Sequence, residues 1–372
     1  MNKMRKLYIF IIFLFTMMAA NAQNGWSKDW FQNVKLSGYI IGEYQYSSQK
    51  DLTPHDKFSL RLVRMSVDGK IANQFYFKIQ AQLNGTPGSN SGPRILDAFL
   101  EWQKYDFARI KIGQFKRAFT FENPMTPIAQ GFMGYGTVVS NLSGMTDRTG
   151  EHASNGRDIG VQVQGDFLKN NAGRNLLHYQ LAVYNGQGTN TTDVDNKKDF
   201  IGGFWVMPIK GLRLGAFGWT GSYARKGTLT DATTGVSSQQ IVSVDKNRYA
   251  ISGEYANNDW TFRSEYIHSQ GKAFKNSSET DLTINESIGD KSDGWYVAAI
   301  APIQKDVCHI KARYSSYRSD ATWGNSNNQY EIGADYIFFK HVKAQLEYIR
   351  VNDRSVSNSN YNMIDCQVSV SF

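Results

Sequence analysis

Apolar and polar residues alternate along this chain with a period of two, in runs of about ten residues separated by connectors. In the last run Ile364, Cys366, Val368, Val370 and Phe372 share one face, and Asp365, Gln367, Ser369 and Ser371 the other. Val342, Ala344, Leu346 and Tyr348 oppose Lys343, Gln345 and Glu347 in the same way, as Phe75, Phe77, Ile79 and Ala81 oppose Tyr76, Lys78, Gln80 and Gln82. The alternation predicts strands over Val34–Tyr46, Phe58–Lys70, Phe75–Leu83, Arg94–Gln103, Ala108–Phe115, Asp158–Phe167, Leu176–Asn185 and Phe200–Pro208. It continues over Leu212–Thr220, Asn247–Ala256, Trp260–Gln270, Gly294–Ala301, Cys308–Arg318, Gln329–Phe338, Val342–Val351 and Tyr361–Phe372, sixteen in all.

The connectors alternate as well. Those around Thr53, Pro87, Gly131, Thr192, Gly235, Ser278, Asn325 and Ser357 are long, whereas 71–74, 104–107, 209–211, 257–259 and 339–341 are short. A tilted strand of about 9–11 residues spans a bilayer, and short turns on one side with long loops on the other belong to outer-membrane barrels. The predicted fold is therefore all-β: a transmembrane antiparallel β-barrel of about 16 strands, a single domain over residues 34–372, with both termini on the short-turn, periplasmic side. A charge on the lipid face costs about 2–4 kcal/mol at the midplane, so the charged face of each strand must line the lumen. Such a lining wants water, which predicts a channel rather than a packed core.

Two places interrupt the pattern. Apolar parity switches between Leu62 and Val63, which predicts a β-bulge there. Phe200–Pro208 and Gly294–Ala301 are apolar on both parities, so their facing is open, and a subunit contact would explain them. Tyr44, Tyr46 and Tyr348 toward one end and Phe75, Trp102, Trp260, Phe262 and Phe338 toward the other suit two interfacial girdles.

Composition adds the compartment. Lys3, Arg5 and Lys6, the apolar run Leu7–Met18 and Ala20-Asn21-Ala22 have the form of a cleaved signal peptide over residues 1–22, leaving a short periplasmic segment, 23–33. The formal charge of +8 falls to +5 when those three cations are removed (8 − 3). Lys and Arg are spread along the chain instead of clustered, which argues against nucleic-acid binding. Cys308 and Cys366 lie on lipid-facing parity of strands that are not neighbours, so two free thiols are expected.

Motifs of catalysis and metal binding are missing from the sequence. His55, His152, His178, His268, His309 and His341 lack the spacing of a zinc pair, and no serine sits in a nucleophile elbow. No enzyme activity, cofactor or metal is expected. The alternatives to a channel are a non-conducting barrel serving as an adhesin or structural surface protein, and a barrel enzyme with its active site at the rim. The third connector, Lys116–Arg157, is far longer than ordinary loops and is expected to fold into the lumen and narrow it. Its cations stand at its ends, Lys116 and Arg117 first, Arg148 and Arg157 last. Parity places Arg109 and Lys111 in the lumen just below its start, with Arg117 continuing the register. The wall cations Lys78, Arg61, Arg263 and Arg313 complete the candidate constriction set, from which a weak anion preference is expected.

The stretch Ile110-Lys111-Ile112-Gly113-Gln114-Phe115-Lys116, with Phe119 and Phe121-Glu122-Asn123-Pro124, and then Gly156-Arg157-Asp158-Ile159-Gly160-Val161-Gln162, resembles the phosphate-selective porin O and P family. The resemblance implies a sixteen-stranded porin of the Gram-negative outer membrane, a homotrimer with its third loop tucked inside. It further implies passage of small anionic or polar solutes, contact with membrane lipid and lipopolysaccharide, and recognition by the barrel-assembly machinery through Phe372. The loop departs from the family's arginine ladder, since no Lys or Arg lies between Ala118 and Asp147.

Overall fold

The computed structural model describes residues 31–85, 92–230 and 235–372; the expected signal peptide over 1–22, residues 23–30, residues 86–91 around Pro87 and residues 231–234 lie outside the described residues. Among the described residues eighteen strands form: β1 (Phe31–Ser47), β2 (Asp56–Ile71), β3 (Phe75–Gln82), β4 (Arg94–Tyr105), β5 (Ala108–Lys116), β6 (Arg157–Lys169), β7 (Asn175–Tyr184), β8 (Asp199–Val206) and β9 (Leu212–Thr220). They continue as β10 (Ser222–Thr230), β11 (Ser237–Asp245), β12 (Asn247–Asn257), β13 (Trp260–Gln270), β14 (Lys291–Gln304), β15 (Cys308–Arg318), β16 (Ser326–Phe339), β17 (Val342–Asp353) and β18 (Asn360–Ser371). Sixteen close into an antiparallel barrel in which β1 pairs with β18, and β10 and β11 form a separate hairpin in the connector between β9 and β12.

Sequence chemistry explains the ladder. Short turns take up positive φ at Ala72-Asn73 and Asn258-Asp259, as tight hairpins demand, and Asn73, Asn258 and Asp259 are the residue types that accept it best. On β18 Ile364, Val368 and Val370 are exposed to lipid while Asp365, Gln367 and Ser369 are buried inside. Lipid-facing rings pair up near both ends: Trp295, Tyr314 and Tyr330 at 5.1 and 4.9 Å toward the long loops, Trp260–Phe262 at 5.8 Å and Tyr336–Phe338 at 4.9 Å toward the short turns. Amphipathic rings settle at membrane interfaces.

Three details differ from the sequence reading. The first strand begins at Phe31, before Val34. The bulge lies one residue earlier than expected: Ile41 pairs with Leu62 and Gly42 with Leu60, so Arg61 is the extra residue and both Arg61 and Leu62 turn inward. The hairpin β10–β11 lies in what the sequence marks only as a long connector, because its Ser-, Thr- and Gln-rich strands stand above the membrane and carry only the short apolar face of Tyr223, Val242 and Val244.

The last residue extends the closing seam between β1 and β18. The N–H and C=O of Phe372 exchange 3.0 Å hydrogen bonds with Gly38, and a Cβ on Gly38 would come within 2.6 Å of the Phe372 ring. Deleting Phe372 removes both bonds, each worth about 1 kcal/mol, together with a lipid-facing ring. The expected result is a smaller folded fraction in the membrane, seen as loss of the heat-modifiable band on gels; a normal folded fraction would show closure to be independent of this residue.

Candidate functional site

The connector between β5 and β6 folds inward and builds the only large apolar cluster described inside the barrel. Phe119, Phe121, Phe132, Val138, Val139 and Leu142 from the connector pack on Tyr184, Ile201, Phe217, Trp219, Ile267, Tyr296 and Ala298 of the wall. A short helix, Thr137–Leu142, lies against β13, β14 and β15. The doubly apolar strands are thereby explained. Phe200, Phe204 and Val206 of β8 face lipid, while Ile201 and Trp205 face the loop; Trp295 and Val297 of β14 face lipid, while Tyr296, Ala298 and Ile300 face the loop. Their second apolar face receives the loop, so no subunit contact is needed to account for it.

Under the middle of the loop, the wall's charged side chains reach its backbone. Glu265 Oε1 accepts the N–H groups of Phe121 (2.6 Å) and Glu122 (3.0 Å), and Glu347 Oε1 accepts that of Met133 (2.9 Å). Arg263 donates to Gln130 O (3.1 Å), Lys311 to Gly131 O (2.8 Å), Arg313 to Gly134 O (3.0 Å) and Lys343 to Ile128 O (3.3 Å). Buried carbonyls and amides need such partners once water is excluded. The far end of the loop reaches β1 and β2, where Ile128 packs on Tyr39, Ile41 and Leu62.

Buried cations pin the two ends of the loop. Arg117 is fully enclosed between Glu151 (2.9 Å) and Asp158 (2.8 Å), and its guanidinium lies 4.9 Å from the Trp219 ring. Lys246 joins Glu151 (3.3 Å) to Asp199 (3.0 Å), and Arg248 grips Asp147 through both nitrogens at 2.6 and 2.7 Å. Burial raises the Asp147 carboxyl, but the Arg248 guanidinium outweighs it and holds the group below the usual carboxylate range. Arg148 donates to the carbonyls of Gly271, Ile288, Gly289 and Ser319, and Arg225 of the hairpin to those of Gly150, Asn276 and Asp281. The outer loops over this half of the barrel are therefore stitched to the inward loop.

The opposite wall remains open. Inward-facing Tyr76, Lys78, Phe99, Arg109, Lys111 and Gln164 on β3–β6 are half-exposed, whereas Glu265, Tyr296, Lys311, Arg313 and Glu331 on β13–β16 are buried. Beside this open wall four cations gather: Arg64 on β2, Arg94 on β4, Lys116 ending β5 and Arg157 starting β6. Arg157 is bound to Asp97 (2.6 Å) and Arg94 donates to Ala153 O (2.8 Å). Arg64 donates to the Tyr39 hydroxyl (3.0 Å) and to Gln82, and Lys116 lies 5.2 Å from the Tyr135 ring of the loop; neither has a carboxylate within 4 Å among the described residues. The loop that faces them carries no charged residue from Asn123 to Thr146.

The residues picked out from sequence thus divide. Lys78, Arg109, Lys111 and Lys116 stand on the open wall, the first three paired with Asp97 (3.6 Å), Asp166 (2.6 Å) and Glu101 (3.9 Å), and Arg157 is buried beside it. Arg61 lies further round, 3.7 Å from Glu43. Arg263 and Arg313 lie under the loop, paired with Glu254 (2.6 Å) and Glu331 (2.7 Å). Arg117 and Arg148 are structural fasteners away from the pore surface: parity carries Arg117 inward, but the chain turns at once and encloses it. Arg64 and Arg94 escape the sequence pattern. For Arg64 the signal exists, since past the bulge it shares parity with Ser66 and Asp68; Arg94 sits at a strand end, where parity alone says little.

A barrel with an inward third loop and a polar lumen is the architecture of a pore, and the sequence agrees. The profile of Gram-negative porins matches residues 12–355. The chain belongs to the Gram-negative porins. This porin resides in the outer membrane, and its barrel superposes on solved relatives of low identity. It aligns with the loop L8 deletion mutant of OmpT from Vibrio cholerae at 14% identity and a TM-score of 0.61, covering 91% of this chain and 99% of that one. The channel DcaP of Acinetobacter baumannii gives 13% and 0.58, and OmpF of Salmonella typhi in complex with daunomycin 11% and 0.59, each covering 91% of this porin and 97% of the other chain. No curated protein sequence matches it. Among the described residues no group of three or more His, Cys, Asp or Glu could hold a metal ion.

Proposed function

We propose that this porin is a diffusion channel for small hydrophilic solutes with a modest preference for anions, phosphate among them. One observation carries the anion preference: Arg64, Arg94, Lys116 and Arg157 border a loop stretch, Asn123–Thr146, that carries no charge of either sign. With no carboxylate in that stretch, the field across it is set mainly by the wall, while Glu122, just before it, is drawn to Arg313 at 3.5 Å. Low-dielectric surroundings focus that field, and rings of Lys and Arg favour anions. The resemblance of Ile110–Gly165 to phosphate-selective porins supports phosphate as one such solute, while the many wall carboxylates, Asp97 and Glu101 among them, keep the preference modest. We infer assembly as a homotrimer, a form reported for OmpT of Vibrio cholerae, and delivery to the membrane through the exposed terminal Phe372.

Recording from purified protein in planar bilayers tests the reading. Stepwise conductance is expected, with a zero-current potential in a KCl gradient that favours chloride and shrinks as salt rises, because screening shortens to about 3 Å at 1 M. Folded protein that inserts without conducting would return the surface-protein alternative.

A further inference from the structure

We propose that the half-exposed wall formed by Tyr76, Phe99, Lys78 and Lys111 is a binding site for monocyclic aromatic carboxylates. The proposal rests on the diffusion-channel reading and adds to it a class of solute held on the way through.

A line of rings runs along the inner wall: Tyr184 to Phe115 at 5.5 Å between centroids, Phe115 to Phe99 at 6.0 Å, and Phe99 to Tyr76 at 6.0 Å. Phe115 and Tyr184 are buried under the root of the inward loop, and packing accounts for them. Phe99 and Tyr76 continue the line out of that cluster into the open lumen, half-exposed. Aromatic rings facing channel water add little to folding, whereas they offer a stacking surface to a passing ring. The backbone keeps Phe99 in place. Its cross-strand neighbour is Gly113, where a Cβ would come within 2.2 Å of Ala98 O and 2.8 Å of Phe99 Cα.

Cations flank the same surface. Lys78 stands directly across the strand pair from Phe99, and Lys111 Nζ lies 4.9 Å from the Phe99 centroid. Their carboxylate partners are at long range, 3.6 Å for Lys78 to Asp97 and 3.9 Å for Lys111 to Glu101. An ammonium group has three donors, so each lysine keeps capacity for an incoming anion. A carboxylate carried on the edge of a benzene ring meets both features at once. An aliphatic carboxylate meets only the charge, and a neutral arene only the rings.

The test is block of chloride current through the full protein in planar bilayers, with benzoate, acetate and benzyl alcohol as probes. Benzoate is expected to half-block at a concentration about tenfold lower than acetate, a ratio within reach of one aromatic contact added to a charge. Benzyl alcohol should block no better than acetate. Phe99→Leu keeps apolar bulk at the edge of the cluster and should bring the benzoate-to-acetate ratio close to one; Tyr76→Leu, at the more peripheral ring, should lower it in part. Equal block by benzoate and acetate in the unaltered protein overturns the site. An undiminished benzoate advantage in both variants places the contact elsewhere and overturns this assignment. Unaltered protein that passes no current would instead overturn the diffusion-channel reading on which the proposal stands.

Discussion

Replacing Arg94 and Lys116 together with glutamate is expected to turn the channel from anion- to cation-preferring, with a change of sign in the zero-current potential in a KCl gradient. Each substitution moves the local charge by two, and both side chains are half-buried at the open wall rather than enclosed. The stretch opposite cannot compensate, because Asn123–Thr146 holds no Asp, Glu, Lys, Arg or His. Two positive charges replaced by two negative ones in a confined, poorly screened passage exceed the modest excess that sets the original preference. The comparison is Lys169→Glu, at an exposed pair with Asp106 on the short-turn rim, which should leave the potential near its original value. A double variant that keeps its chloride preference would mean that ions pass elsewhere in the barrel.

A second large effect is expected at Arg117. Its replacement by methionine keeps most of the bulk against Trp219 but leaves Glu151 and Asp158 buried together without their shared partner. Breaking a buried pair by removing one member costs about 3–5 kcal/mol, and here a single guanidinium serves two carboxylates. The barrel ladder does not depend on it, so the penalty should appear as undocking of the inward loop: larger and noisier single-channel conductance, and new protease cleavage between Ala118 and Ser154. Removing the ion pair Lys169–Asp106, exposed on both partners, should alter neither readout, since such pairs contribute about 0–1 kcal/mol. Unchanged conductance in Arg117→Met would show that the apolar cluster alone holds the loop.

The contrast between these two sites shows what a sequence can and cannot disclose in such a protein. Lipid imposes a strict penalty on misplaced polarity, so strand number, order and facing are written in the alternation at positions such as Ile364 to Phe372. Where lipid is absent, that signal stops. The hairpin of β10 and β11 stands above the membrane and shows only a short apolar face, Tyr223, Val242 and Val244, and the second apolar face of β8 and β14 is legible only once the loop is known to rest on it. The loop was recognisable by its length and by the cations at its ends. Its path was not, because it is fixed by pairings between residues far apart in the chain, such as Glu265 with Phe121 and Arg248 with Asp147. Arg109 and Lys111 were placed in the lumen by parity alone; Arg117 obeys the same parity but is enclosed by a chain reversal that parity does not describe.

The manner in which the wall holds the loop has a practical consequence. Arg263, Lys311, Arg313 and Lys343 grasp carbonyl oxygens, which every residue type supplies, so side chains on the water-facing edge of the loop, such as Pro124, Met125, Thr126 and Ala129, carry little of the anchorage. The inward loop behaves as a cartridge seated in a fixed housing. Its bore can be re-lined with charged, bulky or chelating side chains, residue by residue, to make sensors or sieves of chosen calibre from one unaltered barrel.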